Sequence, residues 1–335
     1  LINTIDERRD ILDALGLDNL LVKKFTQEFS RLSAEDFVKG ILVEKLNAKK
    51  IINAADVHYD ELLNPILDRI QKFSPPFSYF FSICIKNNLK TILLGQPEEL
   101  INFHGCILPF LQVNGISERI EDIFNYTTWF ANKKKSYCAY DLAENLNIHT
   151  CVYCNRLYTK TVTKSDNKIT RPQFDHYFPK EKFPLLALSF YNLIPSCSVC
   201  NTSIKGKESM DLNKHLHPYI LSKSNIRFSF IFTSVNTYKF KVLDNGNIKV
   251  RNTIDLFKIQ DIYESHVDEI EDLILLRKKY SSSYLNNLRH ILQKSNITDD
   301  EIYRLAFSTY KREENFEKRP LSRMKRDLLK ELRII

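Results

Sequence analysis

Four cysteines fall in two close pairs, Cys151-Val152-Tyr153-Cys154 and Cys197-Ser198-Val199-Cys200. A Cys-x-x-Cys turn brings two sulfurs to one side of the backbone. Two such turns supply the four-thiolate set of a structural Zn2+, with no open position on the ion. The stretch between the pairs is longer than a simple zinc ribbon needs, so a folded segment has to sit inside it. That segment carries Asp175-His176 and Asn192, and Asn201 follows the last cysteine directly. The Asp175 carboxylate and the Asn201 amide carbonyl are hard oxygen donors of the kind Mg2+ or Mn2+ takes. The His176 imidazole titrates near neutrality and is a natural proton acceptor. Neighbours on a strand point to opposite faces, so Asp175 and His176 can serve one site only from a strand end or a loop, and Pro179 fits such an end. Alone, an Asp-His pair is an ordinary boundary dipeptide; its place between the cysteine pairs gives it weight. Asn192 reads as a brace whose amide ties the loop after Asp175-His176 to the backbone.

The elements that must position these residues are legible in outline. Residues 1–135 read as a helical scaffold or partner-binding domain. Asp18 to Leu46 and Asp60 to Phe73 carry apolar residues at three- and four-residue spacing, the second run through Leu62, Leu63, Ile66, Leu67, Ile70 and Phe73. Pro65 marks a helix start or a kink, Pro75-Pro76 a helix end, and Ser117 an N-cap. Residues 136–218 hold the cysteine-bracketed core. There the pattern predicts a short helix over Asp141 to Asn147, strands over Leu157 to Val162 and Ile169 to His176, and a helix from Asn201 to Lys207. Residues 219–258 read as a small antiparallel β element: Phe228 to Phe232 and Tyr238 to Val242 alternate, Asn245-Gly246 is a hairpin signal, and Ile248 to Val250 reads as a further strand. Residues 259–335 return to helix, with Ile259, Ile262, Tyr263, His266, Ile270, Leu273 and Ile274 on one face. The basic run Lys318 to Arg326 is a solvated helix face or a polyanion contact. The expected fold class is α+β.

The chain has 335 residues, 43% of them hydrophobic and 12% aromatic, enough for two or three domains with a good core. Seven glycines and no Gly-x-x-x-x-Gly-Lys-Ser/Thr motif argue against a P-loop ATPase. A formal charge of +8 suits a polyanionic partner without requiring one. Seven cysteines, with Cys84, Cys106 and Cys138 outside the pairs, fit a reducing cytoplasm and one metal site better than a disulfide framework. The first eight residues are charged early and lack an apolar stretch, which argues against a secretory leader. No apolar run is long enough to span a bilayer.

The run His149 to Arg156, then Phe174-Asp175-His176-Tyr177-Phe178-Pro179-Lys180, then Tyr191 to Asn201 with Lys205-Gly206, resembles the zinc-bound branch of the HNH (ββα-metal) endonuclease superfamily. The resemblance covers residues 149–207, a minor part of the chain. It implies a metal-dependent phosphodiester hydrolase, with DNA as the expected substrate. His176 would be the general base, Asp175 and Asn201 would hold Mg2+ or Mn2+, Asn192 would brace the loop, and the four cysteines would hold Zn2+. Lys205, Lys207, Lys180 and Arg171 become candidate phosphate contacts, each equally readable as a solvated charge. The last position of the HNH set is Asn here, a variant found in active relatives. The Cys-x-Tyr-Cys, Asp-His-Tyr-x-Pro-Lys and Cys-x-x-Cys-Asn-x-x-x-Lys-Gly run is similar to HNH subunits of Septu and retron anti-phage systems, which work beside a separate ATPase. Two alternatives stay open. One is a nuclease subunit switched on by such a partner. The other is a zinc-stabilised binding module without activity, which explains the cysteines but not Asp175-His176, Asn192 and Asn201. The oligomeric state is not legible.

Overall fold

The computed structural model describes residues 44–72, 78–112, 116–164, 167–220, 226–235, 237–279, 287, 290–291 and 298–335. The chain divides into two units, Leu1–Leu46 and Asn47–Ile335, and the described residues lie almost wholly in the second. Most of the helical run expected over Asp18 to Leu46, together with Phe73 and Pro75-Pro76, lies outside the described residues. The helices α1 (Glu44–Lys72), α2 (Ser78–Asn87), α3 (Leu89–Leu94), α4 (Pro97–Leu111), α5 (Ile116–Ile123) and α6 (Ala139–Leu146) lead to the short strands β1 (Val162–Lys164), β2 (Asn167–Thr170), β3 (Gln173–His176) and β4 (Leu193–Ser196). A hairpin of β5 (Arg227–Ser234) and β6 (Thr237–Leu243) follows, then α7 (Ile248–Leu256), α8 (Ile259–Glu264), α9 (Val267–Lys279), α10 (Asp299–Phe307) and α11 (Ser322–Glu331). The fold is α+β, with three separate two-stranded antiparallel sheets among the described residues, β1-β2, β3-β4 and β5-β6. No helix among the described residues is long and apolar enough to cross a membrane.

Helix α1 shows why the sequence pattern holds. Ala54, Ala55, His58, Leu62, Ile66 and Ile70 recur at one-, three- and four-residue steps and are all buried. Pro65 sits on the exposed side inside the helix and does not end it, so the helix begins well before the Asp60 expected from periodicity. Ser117 likewise lies inside α5 rather than capping it. Helix α6 starts where Asp141 accepts a hydrogen bond from the Cys138 N–H at 2.8 Å and ends in Asn147, whose φ of 46° is the left-handed cap that asparagine tolerates. Lys168 of β2 pairs with Asp141 at 2.7 Å and so docks the β1-β2 hairpin on the start of that helix.

Three elements differ from the sequence reading, two of them for evident physical causes. The strand expected over Leu157 to Val162 keeps only its end: Val162 opens β1 opposite Thr170, and Tyr158 makes an isolated bridge to Thr150. The strand expected from Ile169 to His176 splits at Arg171-Pro172 into β2 and β3, because proline has no N–H for a ladder. Ile248 to Val250 form the first turn of α7, not a strand. Asn247 caps that turn, its side chain accepting from the N–H groups of Lys249 and Val250, and the Asn245-Gly246 turn feeds a helix instead of a hairpin. The alternating runs do pair, from Arg227↔Leu243 to Ser234↔Thr237. Both edges of that hairpin are covered: Asp327 accepts from the Phe228 N–H, while Gln260 bonds Val242 and Phe240. Ser265 and His266 interrupt the C-terminal helical face between α8 and α9.

The connection between β3 and β4 is buried from Pro184 to Asn192 and needs partners for its carbonyls. Histidines from three parts of the chain supply them. His176 Nε2 lies 3.0 Å from Ala187 O, His58 Nε2 2.8 Å from Leu188 O, and His217 Nε2 2.8 Å from Tyr191 O. A carbonyl only accepts, so each Nε2 carries the proton. In His58 and His217 the Nδ1 atom faces donors, the Tyr137 hydroxyl and the Tyr219 N–H. Burial lowers both imidazoles to about 4, against the opposing pull of these carbonyls.

These neutral histidines set a pH dependence. In the unfolded chain each takes a proton near pH 6.5, whereas the fold resists it down to about 4. Between those values the unfolded state binds more protons, so stability is complete above the upper limit and falls as pH drops. At pH 5 each histidine costs about 2 kcal/mol. Denaturant unfolding at pH 7.5 and pH 5.0 should therefore show a smaller loss in His58→Gln than in the parent; identical losses would remove His58 as a contributor.

Candidate functional site

The cysteine pairs come together as their spacing implies. The Sγ atoms of Cys151, Cys154, Cys197 and Cys200 all lie within 4.8 Å of one another, with Cys154 and Cys197 4.0 Å apart, and all four residues are buried. A tetrahedral Zn2+ with Zn–S bonds of about 2.3 Å places sulfurs about 3.8 Å apart, so the donor set fits that ion with a small contraction. Each turn also aims a backbone N–H at a sulfur, Arg156 to Cys154 and Cys200 to Cys197, both at 3.4 Å. The crowded thiols divide their protons unevenly. The other three donate toward Cys197 and hold it far below the ordinary thiol range, while burial holds Cys151 well above it. A bound cation resolves that conflict by favouring all four thiolates.

The first turn is anchored from afar. Asn155, in the left-handed region at φ 48°, donates to Thr150 Oγ1 and Phe316 O and accepts from the Arg323 N–H. Its carbonyl accepts from the Leu321 N–H at 2.7 Å, and the Tyr263 hydroxyl donates to Cys154 O at 2.6 Å. The basic residues of the run Lys318 to Arg326 are half-buried apart from the exposed Lys318, and their charges are largely engaged within the chain. Lys325 pairs with Glu269, Arg326 with Glu313 and Asp327, and Lys318 and Arg319 lie over the Tyr310 ring.

Strand β3 runs antiparallel to β4 in the register Gln173↔Ser196 to His176↔Leu193, which sets Gln173 beside the second cysteine pair and Asp175-His176 at the far end of the strand, where Tyr153 of the first cysteine turn reaches Asp175. Asp175 is 2% exposed. Its Oδ1 accepts from Lys205 Nζ at 2.8 Å, and its Oδ2 accepts from the Tyr153 hydroxyl at 2.7 Å. Burial raises the carboxyl above its usual range, against the lowering pull of Lys205 and Tyr153. His176 is also buried, its ring edge-on to Tyr126 with centroids 4.7 Å apart. Burial lowers it to about 4, so the ring is neutral at pH 7, and Ala187 O fixes the proton on Nε2. The Nδ1 lone pair is the basic atom of the site.

Asn192 is fully buried and acts as the brace that the sequence suggests. Its Oδ1 accepts from the Phe178 N–H at 2.6 Å, and its Nδ2 donates to Phe178 O and Leu186 O. The loop that follows Asp175-His176 is thereby closed on itself. Asn201 is half-buried, and its Nδ2 donates to Gln173 Oε1 at 3.0 Å, an oxygen it shares with Thr202. The segment that carries Cys200 and Asn201 is a widened π-helical turn over Val199–Lys205, not an α-helix, and Gly206 closes it at φ 53°.

The four candidate cations separate. Lys205 is 3% exposed and bonds Asp175 and, at 3.0 Å, His176 O. Lys180 approaches Thr127 Oγ1 and Glu181, both at 3.4 Å, and its charge lowers the His176 pKa further. Arg171 lies over the Tyr140 and Phe174 rings and bonds the Tyr126 hydroxyl. Lys207 is exposed. Tyr153, Tyr126 and Gln173 complete the surroundings and escaped sequence reasoning. Tyr153 lies inside the first cysteine turn, where its partner Asp175 could have been sought. Tyr126 comes from the π-helical turn Tyr126–Phe130, and no local signal ties it to His176.

A family model described as FAD synthetase matches residues 1–84. A bifunctional riboflavin kinase/FMN adenylyltransferase of Buchnera aphidicola subsp. Schizaphis graminum is 30% identical over 93 residues, 27% of this chain and 30% of that protein. The Septu protein PtuB of Bacillus thuringiensis is 23% identical over 159 residues, 48% of this chain and 52% of that protein. The chain thus spans about a third and about half of the curated relatives it matches. No solved structure matches. The chain is distantly similar to a Septu protein and carries a buried four-cysteine cluster able to hold a metal such as zinc.

Proposed function

We propose that the chain is an HNH-type nuclease that hydrolyses phosphodiester bonds, with DNA as substrate, in cytoplasmic anti-phage defence. The observation that carries this reading is the strand-end pair Asp175-His176, tied to the first cysteine turn through Tyr153 and closed from behind by Asn192, with a neutral His176 whose Nδ1 lone pair can take a proton from water. The distant similarity to the Septu protein PtuB supports the defence setting. Zn2+ on the four cysteines would hold β4 and the turn after it in register and take no part in the reaction. Arg171, Lys180 and Lys207 are the cations nearest to serving phosphate oxygens, since Lys205 is engaged by Asp175. The resemblance also assigns Mg2+ or Mn2+ to Asp175 and Asn201. Both Asp175 oxygens already accept, from Lys205 and Tyr153, so that carboxylate as arranged does not fit the ion; Asn201 bonds Gln173 through Nδ2, not through the Oδ1 that would ligate.

The test is cleavage of supercoiled plasmid by the purified, zinc-loaded chain with Mg2+ or Mn2+, against EDTA and His176→Ala controls. Nicking or linearisation that His176→Ala abolishes is the expected result, and the EDTA arm reads separately whether a divalent ion takes part. A folded, zinc-loaded chain that leaves plasmid, linear duplex and single strands intact would overturn autonomous nuclease activity. The same assay would then be run with a partner ATPase added, the second arrangement the resemblance implies.

A further inference from the structure

Asp175 is the carboxylate on which a divalent ion would have to sit, and it is already neutralised by a cation of the chain itself. Its side chain is 3% exposed and that of Lys205 is 2% exposed, with Nζ and Oδ1 2.8 Å apart. The same ammonium donates to His176 O at 3.0 Å, and Tyr153 takes the second carboxylate oxygen. All three interactions are charge-assisted or buried hydrogen bonds, the stronger kind. The widened turn Val199–Lys205 points its last side chain inward, toward the strand end.

A hard divalent ion placed at Asp175 would meet two obstacles. Mg2+ and Mn2+ need about six oxygen ligands and keep several waters, which a carboxylate this enclosed cannot admit. Among the described residues, the four cysteines are the one group of three or more His, Cys, Asp or Glu side chains close enough to share an ion. Asp175 would therefore have at most one other such side chain beside it among the described residues, and the ion would have to displace a buried ammonium. Burying a carboxylate without a partner is costly, so either Lys205 or an ion must be there, and the two cannot share Oδ1.

We infer that Lys205 is the resident cation of Asp175: it occupies the place of a divalent ion and excludes it. The inference rests on the nuclease reading for its functional weight, and it makes Lys205 a positioning residue that holds the Asp175 carboxylate. Its test reads metal binding rather than cleavage, so the two can fail separately.

Mn2+ is titrated into the zinc-loaded full chain and its binding followed by the electron paramagnetic resonance of free Mn2+. Paramagnetic broadening of backbone amide signals around residues 174–177 locates the ion. The parent should show no broadening centred on Asp175 and no Asp175-dependent uptake. Lys205→Met should gain one Mn2+ site, at least tenfold tighter than any in the parent, and Asp175→Asn in the same chain should abolish it. Lys205→Gln keeps a donor for the carboxylate without the charge and serves where the Met variant fails to fold; it should gain the same site. Broadening centred on Asp175 in the parent would overturn the inference without recourse to any variant. So would folded Lys205 variants that take up no Mn2+, since nothing would then have been excluded.

Discussion

Cys197→Ser should cost the fold of the core, not merely its metal. Cys197 is one of the four clustered sulfurs, 4.0 Å from Cys154 Sγ, and it also accepts the Cys200 N–H. A serine hydroxyl does not ionise there and leaves three thiols that cannot complete a tetrahedral set. Structural Zn2+ is worth about 10–16 kcal/mol in small zinc domains near neutral pH. That equals or exceeds the roughly 5–15 kcal/mol net stability of a typical domain. The elements at stake are those around the candidate site, because β4 ends at Ser196 and the turn Val199–Lys205 begins two residues after Cys197. The first cysteine turn also holds the C-terminal region through Asn155, so the damage should spread to α11. The expected result is sub-stoichiometric zinc by elemental analysis and a melting temperature lowered by more than about ten degrees, or insoluble protein. Cys106→Ser, at an exposed thiol outside the cluster, should match the parent in both measurements. A Cys197→Ser protein that melts with the parent would show that the cluster is not a structural metal site.

How much of this was legible follows from the range of the forces involved. The cysteine site was readable because each ligand pair is local and the second pair repeats the first. The brace was readable for a similar reason: an asparagine amide satisfies a loop from within, and Asn192 does so through Phe178 and Leu186. The β5-β6 hairpin was visible as two alternating runs, but its turn was misplaced. Asn245-Gly246 has the residues of a hairpin turn, and only the cap made by Asn247 shows that a helix follows. What stayed hidden was long-range pairing. Nothing near His58 or His217 in sequence says that their rings close carbonyls of the β3-β4 connection. Lys205 could be named as a cation near the site, but only the widened turn directs it from solvent onto Asp175. Charge alone does not tell a phosphate contact from an internal counter-ion.

His176→Ala should lower cleavage by about 10²–10⁴-fold, the usual worth of a positioned general base. The size of the effect alone would not prove the role, because the ring is also structural. Its removal leaves Ala187 O without a donor and opens space beside Tyr126, which costs about 1–3 kcal/mol. A second substitution separates the two. His176→Gln retains an amide N–H that can reach the same carbonyl, but it has no lone pair basic enough to take a proton from water. If His176 is the base, both variants lose cleavage to the same extent while His176→Gln melts closer to the parent. If His176 only supports the loop, the glutamine variant recovers activity together with stability. Zinc content should be unchanged in both, because the ring rests on Ala187 O and Tyr126 rather than on the cysteine cluster. Full activity in a folded, zinc-loaded His176→Gln chain would remove His176 as the base and return the site to the role of a zinc-stabilised scaffold.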